Sequence, residues 1–128
     1  MPQKGLPTMP SRETVERFIR TVESNDHVRA IEEFYAEDAS MQENTAPPRV
    51  GRDVLVAHEA AVLARTKVHT HKVTTFLVDG DHVAINWVFE MTGKDGVTRR
   101  LDEMALQVWR GDKIVRERFF YDPAALRG

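Results

Sequence analysis

The stretch KVHTHKVTTFLVDGDHVAINWVFEMTGKDGVTRRLDEMALQVWRGDKIVRERFFY, residues 67–121, decides the fold. Three turn signals punctuate it: Asp79-Gly80-Asp81, Lys94-Asp95-Gly96 and Arg110-Gly111-Asp112. Each joins a glycine, which reaches positive φ without steric cost, to an aspartate that can bond its own backbone. Between them lie runs rich in Val, Ile, Thr, Phe and Trp, at residues 68–78, 83–92, 98–109 and 114–121. Such side chains fit a pleated, half-buried surface. Hairpin turns at regular intervals predict a four-stranded antiparallel meander. The runs are longer than ordinary strands, so the sheet is expected to bend strongly.

Upstream, the pattern changes to helical spacing. Ser11 is a good N-cap, Glu13 stands in the first turn where negative charge suits the helix dipole, and Val15, Phe18, Ile19 and Val22 make one apolar face. Ser24-Asn25-Asp26 breaks that pattern, and Asp26 can cap a second helix with Val28, Ile31, Phe34 and Tyr35 on its apolar face. Residues 39–43 read as a short strand. Thr45-Ala46-Pro47-Pro48 reads as a loop, because adjacent prolines remove donors and fix φ. After Gly51, Asp53 can cap a third helix ending near Arg65. The architecture expected is α+β: a cone of three N-terminal helices packed on one face of a curved antiparallel sheet, with a concave hollow between the layers. Residues 1–10 read as a loose tail, 11–123 as one domain and 124–128 as a C-terminal tail.

Composition narrows the function. The 128 residues fit one domain, and a hydrophobic fraction of 41% suffices for a core. Charged residues of both signs make up 30%, with a formal net charge of −2. That balance argues against general nucleic-acid binding, which favours strongly basic surfaces. The absence of cysteine excludes disulfides, thiolate metal sites and a cysteine nucleophile, and suits a cytoplasmic location. No apolar run approaches the roughly 20 residues that span a bilayer, so no membrane association is expected. The N-terminal residues lack the apolar centre of a signal peptide.

The order helix, helix, short strand, helix and long meander resembles the NTF2-like superfamily, and short motifs add to the likeness. Phe34-Tyr35-Ala36-Glu37-Asp38-Ala39 resembles the turn from that family's second helix into its first strand. Gly51-Arg52-Asp53 resembles the start of its third helix, and Gly80-Asp81-His82-Val83-Ala84 its next hairpin. Gly111-Asp112-Lys113-Ile114 followed by Phe120-Tyr121-Asp122-Pro123 resembles the end of SnoaL-like proteins. The likeness covers residues 11–123. The superfamily holds ketosteroid isomerases, polyketide cyclases, dehydratases, epoxide hydrolases and non-catalytic members, so fold leaves function open.

Two carboxylates are the candidate catalytic pair. If the third strand of the meander alternates regularly, Asp102, Met104, Leu106 and Val108 share one face. An acid at the end of an apolar face is expected to keep its proton and to donate to a developing oxyanion, as in the ketosteroid isomerase pattern that is a standing example of this chemistry. Leu101-Asp102-Glu103-Met104 resembles that enzyme's motif, but the register leaves open which of Asp102, Glu103 or Met104 faces the hollow. Glu43 falls where the resemblance implies the catalytic base, after the Asp38-Ala39 turn. The position of the isomerases' first-helix tyrosine is Phe18 here, which has no hydroxyl. Phe18, Tyr35, His58, Trp87, Met104 and Tyr121 are expected around the pocket.

His69 and His71 lie two apart but lack a third ligand at an indicative spacing, so no metal is expected. The turn glycines form no phosphate-cradling motif, so no nucleotide and no other cofactor is expected. The Arg99-Arg100 pair and the Arg116/Arg118 alternation suit either an anion or a solvated, salt-bridged face. Two functions fit. One is a cofactor-free isomerase, cyclase or dehydratase acting on a small apolar carbonyl compound. The other is a non-catalytic ligand-binding or assembly module. In both, a homodimer is expected through the uncovered sheet face.

Overall fold

A computed structural model describes residues 9–127; most of the tail expected at residues 1–10 lies outside them. Helix α1, Arg12–Glu23, starts as its sequence requires: the Ser11 side chain accepts a hydrogen bond from the Thr14 N–H at 3.0 Å. Its buried face is Val15, Phe18, Ile19 and Val22. Helix α2, His27–Phe34, has Asp26 at its N-cap, but the carboxylate makes no capping bond. His27, Ala30, Ile31 and Phe34 are its buried residues, so the inward face is rotated from the one expected, and Tyr35 begins the following strand.

Strand β1, Tyr35–Glu43, follows at once, and β2, Arg49–Val50, pairs with it antiparallel. Helix α3, Arg52–Arg65, is capped by Gly51 at φ 103°, not by Asp53, which lies in the first turn. The remaining strands are β3, Thr66–Thr70; β4, Phe76–Asp79; β5, His82–Gly93; β6, Thr98–Arg110; and β7, Lys113–Phe120. The sheet runs β2-β1-β7-β6-β5-β3, with β4 also on β5. The turns fall at Gly80, Gly96 and Gly111, all with positive φ.

Three expectations are corrected here. The sheet is mixed, because β1 pairs parallel with β7, matching Met41 to Glu117 and Glu43 to Phe119. The one short strand expected before α3, at residues 39–43, is the longer β1, with β2 added beside it. The run 68–78 is two strands that share β5: β3 pairs with its second half and β4 with its first. The break has a tertiary cause. The Val73 N–H donates to the Glu23 carboxylate at 2.7 Å and so leaves the ladder. Residues 124–126, expected as part of a tail, belong to a 3-10 turn, Pro123–Leu126, whose Asp122 cap accepts from the Ala124 N–H.

The helices cover the concave face of the sheet, and the core lies between the layers. Phe18 is at its centre. Its ring meets Phe34, Tyr35, Trp87 and Trp109 edge-on at 5.4 to 6.1 Å. Edge-to-face contact suits the aromatic quadrupole and adds to the area each ring buries. Among the described residues no helix is long and apolar enough to cross a membrane. Phe18→Ala should cost about 3 to 5 kcal/mol of unfolding free energy, as large core truncations do, measured by urea denaturation.

Candidate functional site

Alternation along β6 decides which side chains reach the hollow. Leu101, Glu103, Ala105, Gln107 and Trp109 are buried, while Asp102, Met104 and Leu106 are exposed. Trp109 fixes this parity by packing against Phe18 on α1 at 6.0 Å. The expectation that Asp102 and Met104 face the pocket is therefore corrected. Asp102 lies on the outer face, where its carboxylate accepts from the Asn86 amide at 2.8 Å. Met104 is 41% exposed on the same face. Glu103, one residue along, takes the inward position.

A cavity of about 580 Å³ opens between α2, α3 and the concave sheet. Phe18, Tyr35, Glu43, His58 and Trp87 line it. Tyr121 is not part of the wall, but its hydroxyl donates to Glu43 at 2.6 Å. Arg49 holds the other Glu43 oxygen, also at 2.6 Å. Burial pushes the Glu43 carboxyl up, but the bonds from Tyr121 and Arg49 and the Arg49 charge outweigh it and hold the pKa below the ordinary value. Burial and the bond to Glu43 raise the Tyr121 phenol in turn.

Glu103 has the opposite environment. The residue is 6% exposed. Burial acts on its carboxyl first, then the charges of Glu117, Glu43 and Glu59, with no hydrogen bond to offset them, and its pKa rises to about 8. At neutral pH it is a carboxylic acid facing an apolar cavity. Glu117, on β7 opposite Gln107, is also buried. Burial raises its pKa to about 7 against the opposing bonds from Gln107, at 2.5 Å, and from the Tyr35 hydroxyl. Trp109 Nε1 donates to the Gln107 carbonyl oxygen at 2.9 Å, which turns the Gln107 amide toward Glu117. At the far side His27 Nδ1 meets Glu59 at 3.3 Å, and its Nε2 meets the Thr70 hydroxyl at 2.8 Å.

Sequence reasoning missed Glu117, Glu59, His27 and Arg49, and left Glu103 open. For Glu103 a signal existed: it shares parity with Trp109, the largest side chain on β6. For Glu117 none did. Ile114 and Glu117 are both buried although three residues apart, because the β6–β7 register shifts between Val108 and Trp109. The histidine pair does not converge on a third ligand; His71 Nε2 instead meets Glu90 at 2.5 Å. Among the described residues no group of three or more His, Asp or Glu is placed to hold a metal ion.

With the cavity defined, comparison with known proteins places the chain. A family model for the SnoaL-like domain matches residues 15–117. The chain belongs to the SnoaL-like family. Solved structures of the NTF2-like superfamily agree with this SnoaL-like domain in fold. A candidate SnoaL-like polyketide cyclase from Mesorhizobium loti is 26% identical, with a TM-score of 0.76 over 85% of this chain and 97% of that one. A candidate polyketide cyclase from Pseudomonas putida KT2440 is 16% identical, with a TM-score of 0.77 over 91% and 95%. A protein of ketosteroid-isomerase-like fold from Catenulispora acidiphila, in complex with trimethylamine, is 20% identical, with a TM-score of 0.76 over 91% and 90%. Comparison with curated proteins gives no match.

The raised carboxyls couple this SnoaL-like site to stability. Between the ordinary glutamate value of 4.5 and the folded values, about 8 for Glu103 and about 7 for Glu117, the folded chain holds protons that the unfolded chain has released. Stability therefore falls as pH rises through that window. Glu43 acts in the other sense: its stabilisation is present above 4.5 and is lost as pH falls through its lowered pKa. Glu103→Gln should flatten the fall between pH 5 and 8.5 and leave the variant more stable than the parent at pH 8.5, by on the order of a few kcal/mol. Urea midpoints at the two pH values check this.

Proposed function

We propose that this SnoaL-like protein is a cofactor-free acid–base catalyst acting on a small, mainly apolar carbonyl compound, by isomerisation, cyclisation or dehydration. One observation carries the reading: Glu43 and Glu103 line the same cavity, and their surroundings drive their pKa values in opposite directions. Paired groups separated in this way supply a base and an acid at one pH.

The roles follow from the surroundings. Glu43 is ionised and held in one orientation by Tyr121 and Arg49, so it takes the proton from the carbon beside the carbonyl. The electron pair moves onto the carbonyl oxygen, and the Glu103 O–H donates a hydrogen bond to that oxygen as its charge grows. Glu43 then returns its proton to the same carbon or to another. A lowered pKa makes Glu43 a modest base, so the reading puts most of the acceleration on Glu103, whose hydrogen bond strengthens only as the enolate forms. Glu117 acts through Glu103: once it ionises, above about 7, its charge is the second cause that raises the Glu103 pKa. Phe18, where the isomerases carry a tyrosine, leaves Glu103 as the donor this reading requires. Deuterium exchange at the α-carbons of 2-tetralone in heavy water, followed by NMR, is the test. The chain should exceed the buffer rate. Glu43→Gln should lower the excess about 10²-fold or more, and Glu103→Leu by a similar factor. Full activity in Glu43→Gln, or no excess for the parent chain, would sink the reading.

We also propose a homodimer through the convex sheet face. Met104 and Phe120 pair across β6 and β7 there, Leu106 and Ala84 pair across β6 and β5, and Leu77 continues the patch on β4. Leu106 is 43% and Leu77 68% exposed. A contiguous apolar face of this kind marks an interface more often than a free surface. Light scattering at micromolar concentration should give twice the chain mass, and Leu106→Arg should bring it to one.

A further inference from the structure

Three inward positions of β6 follow one another along the cavity: Arg99, Leu101 and Glu103. Across β5 they face Met91, Phe89 and Trp87, which also line it. The wall therefore runs from a cation through an apolar belt to the buried acid. At about 3.4 Å per residue, the Arg99 and Glu103 backbones are roughly 13 Å apart.

Arg99 is only partly satisfied among the described residues. Its Nε is buried and has no hydrogen-bond partner among the described residues. Its nearest carboxylate, Asp95, meets only Nη2, at 3.6 Å, and that side chain is 55% exposed. Asp95 is already engaged in its turn, accepting from the Val97 N–H at 3.0 Å. Arg99 lines the cavity wall, and a guanidinium is the fork of parallel N–H groups that fits a carboxylate. Arg65, in the last turn of α3, lines the same cavity, and the next residue, Thr66, pairs with Gly93 near the turn that carries Asp95.

We propose that Arg99, with Arg65 lining the same cavity, binds the anionic end of the ligand, so that the substrate is an amphipathic oxo acid. Its carboxylate lies on the Arg99 fork, its apolar middle lies along Leu101 and Phe89, and its carbonyl reaches Glu103. The position of the carbonyl rests on the acid–base reading above; the anion site does not.

Isothermal titration calorimetry with 5-oxo-5-phenylpentanoate and with its methyl ester tests this, since the two differ in the charge at one end. The parent chain should bind the acid about tenfold or more tightly than the ester. Added salt should weaken the acid and leave the ester unchanged. Arg99→Met should remove the preference. Arg99→Lys, which keeps the charge and loses the fork, should reduce it, and with the salt series it decides the matter if Arg99→Met does not fold. Equal affinity for acid and ester, binding of neither, or a preference that survives loss of the guanidinium would overturn the anion site. The two readings fail separately. Ketone exchange without acid preference sinks the anion site alone, and acid preference without exchange sinks the acid–base reading alone.

Discussion

The packing of Trp109 against Phe18 is the contact on which the rest of the site depends. A strand has two faces, and burying one side chain commits every second residue to the same side. With Trp109 locked under α1, Gln107, Ala105, Glu103 and Leu101 must face the helices. Two of these five are polar, and one is a carboxyl with no bonding partner among the described residues. A hydrophobic contact between a helix and a strand thus places an acid in an apolar wall. The same commitment turns Asp102, Met104 and Leu106 outward and gives the convex face an apolar patch.

Burial then sorts the carboxyls by their neighbours. Glu43 has a phenol and a guanidinium within 2.6 Å and stays charged. Glu117 has Tyr35 and Gln107, which offset burial only in part. Glu103 has like charges around it and no donor, so it keeps its proton. Each state follows from which groups the sheet brings near, since an ion without partners is too costly to bury and neutralises instead. A cavity holding an acid, a base and an apolar wall is the result, at some expense in stability above neutral pH.

Much of the architecture was legible in the sequence because its signals are local. The three glycine turns, the α1 face and the Pro47-Pro48 loop are each specified within a few residues, and the structure has them where the sequence puts them. The parallel pairing of β1 with β7 was not, because it joins residues some 75 apart in the chain and no turn announces it. The split of the run 68–78 depends on a carboxylate arriving from α1. The face of β6 was left ambiguous for a different reason. Met104, Leu106 and Val108 are as apolar as Leu101, Ala105 and Trp109, so alternation alone could not tell a core face from an apolar outer one. The acid position was thus known to within one residue. Glu117 is buried behind a register shift that no periodicity predicts.

The central claim is that one cavity holds an ionised Glu43 and a protonated Glu103 at neutral pH. Carbon-13 NMR of side-chain-labelled glutamate, followed from acid to alkaline pH and assigned with Glu43→Gln and Glu103→Gln, measures both directly. The Glu103 carboxyl should titrate near 8 and Glu43 below 4.5. A Glu103 carboxyl that loses its proton near 4.5, together with the exposed glutamates, would contradict the account.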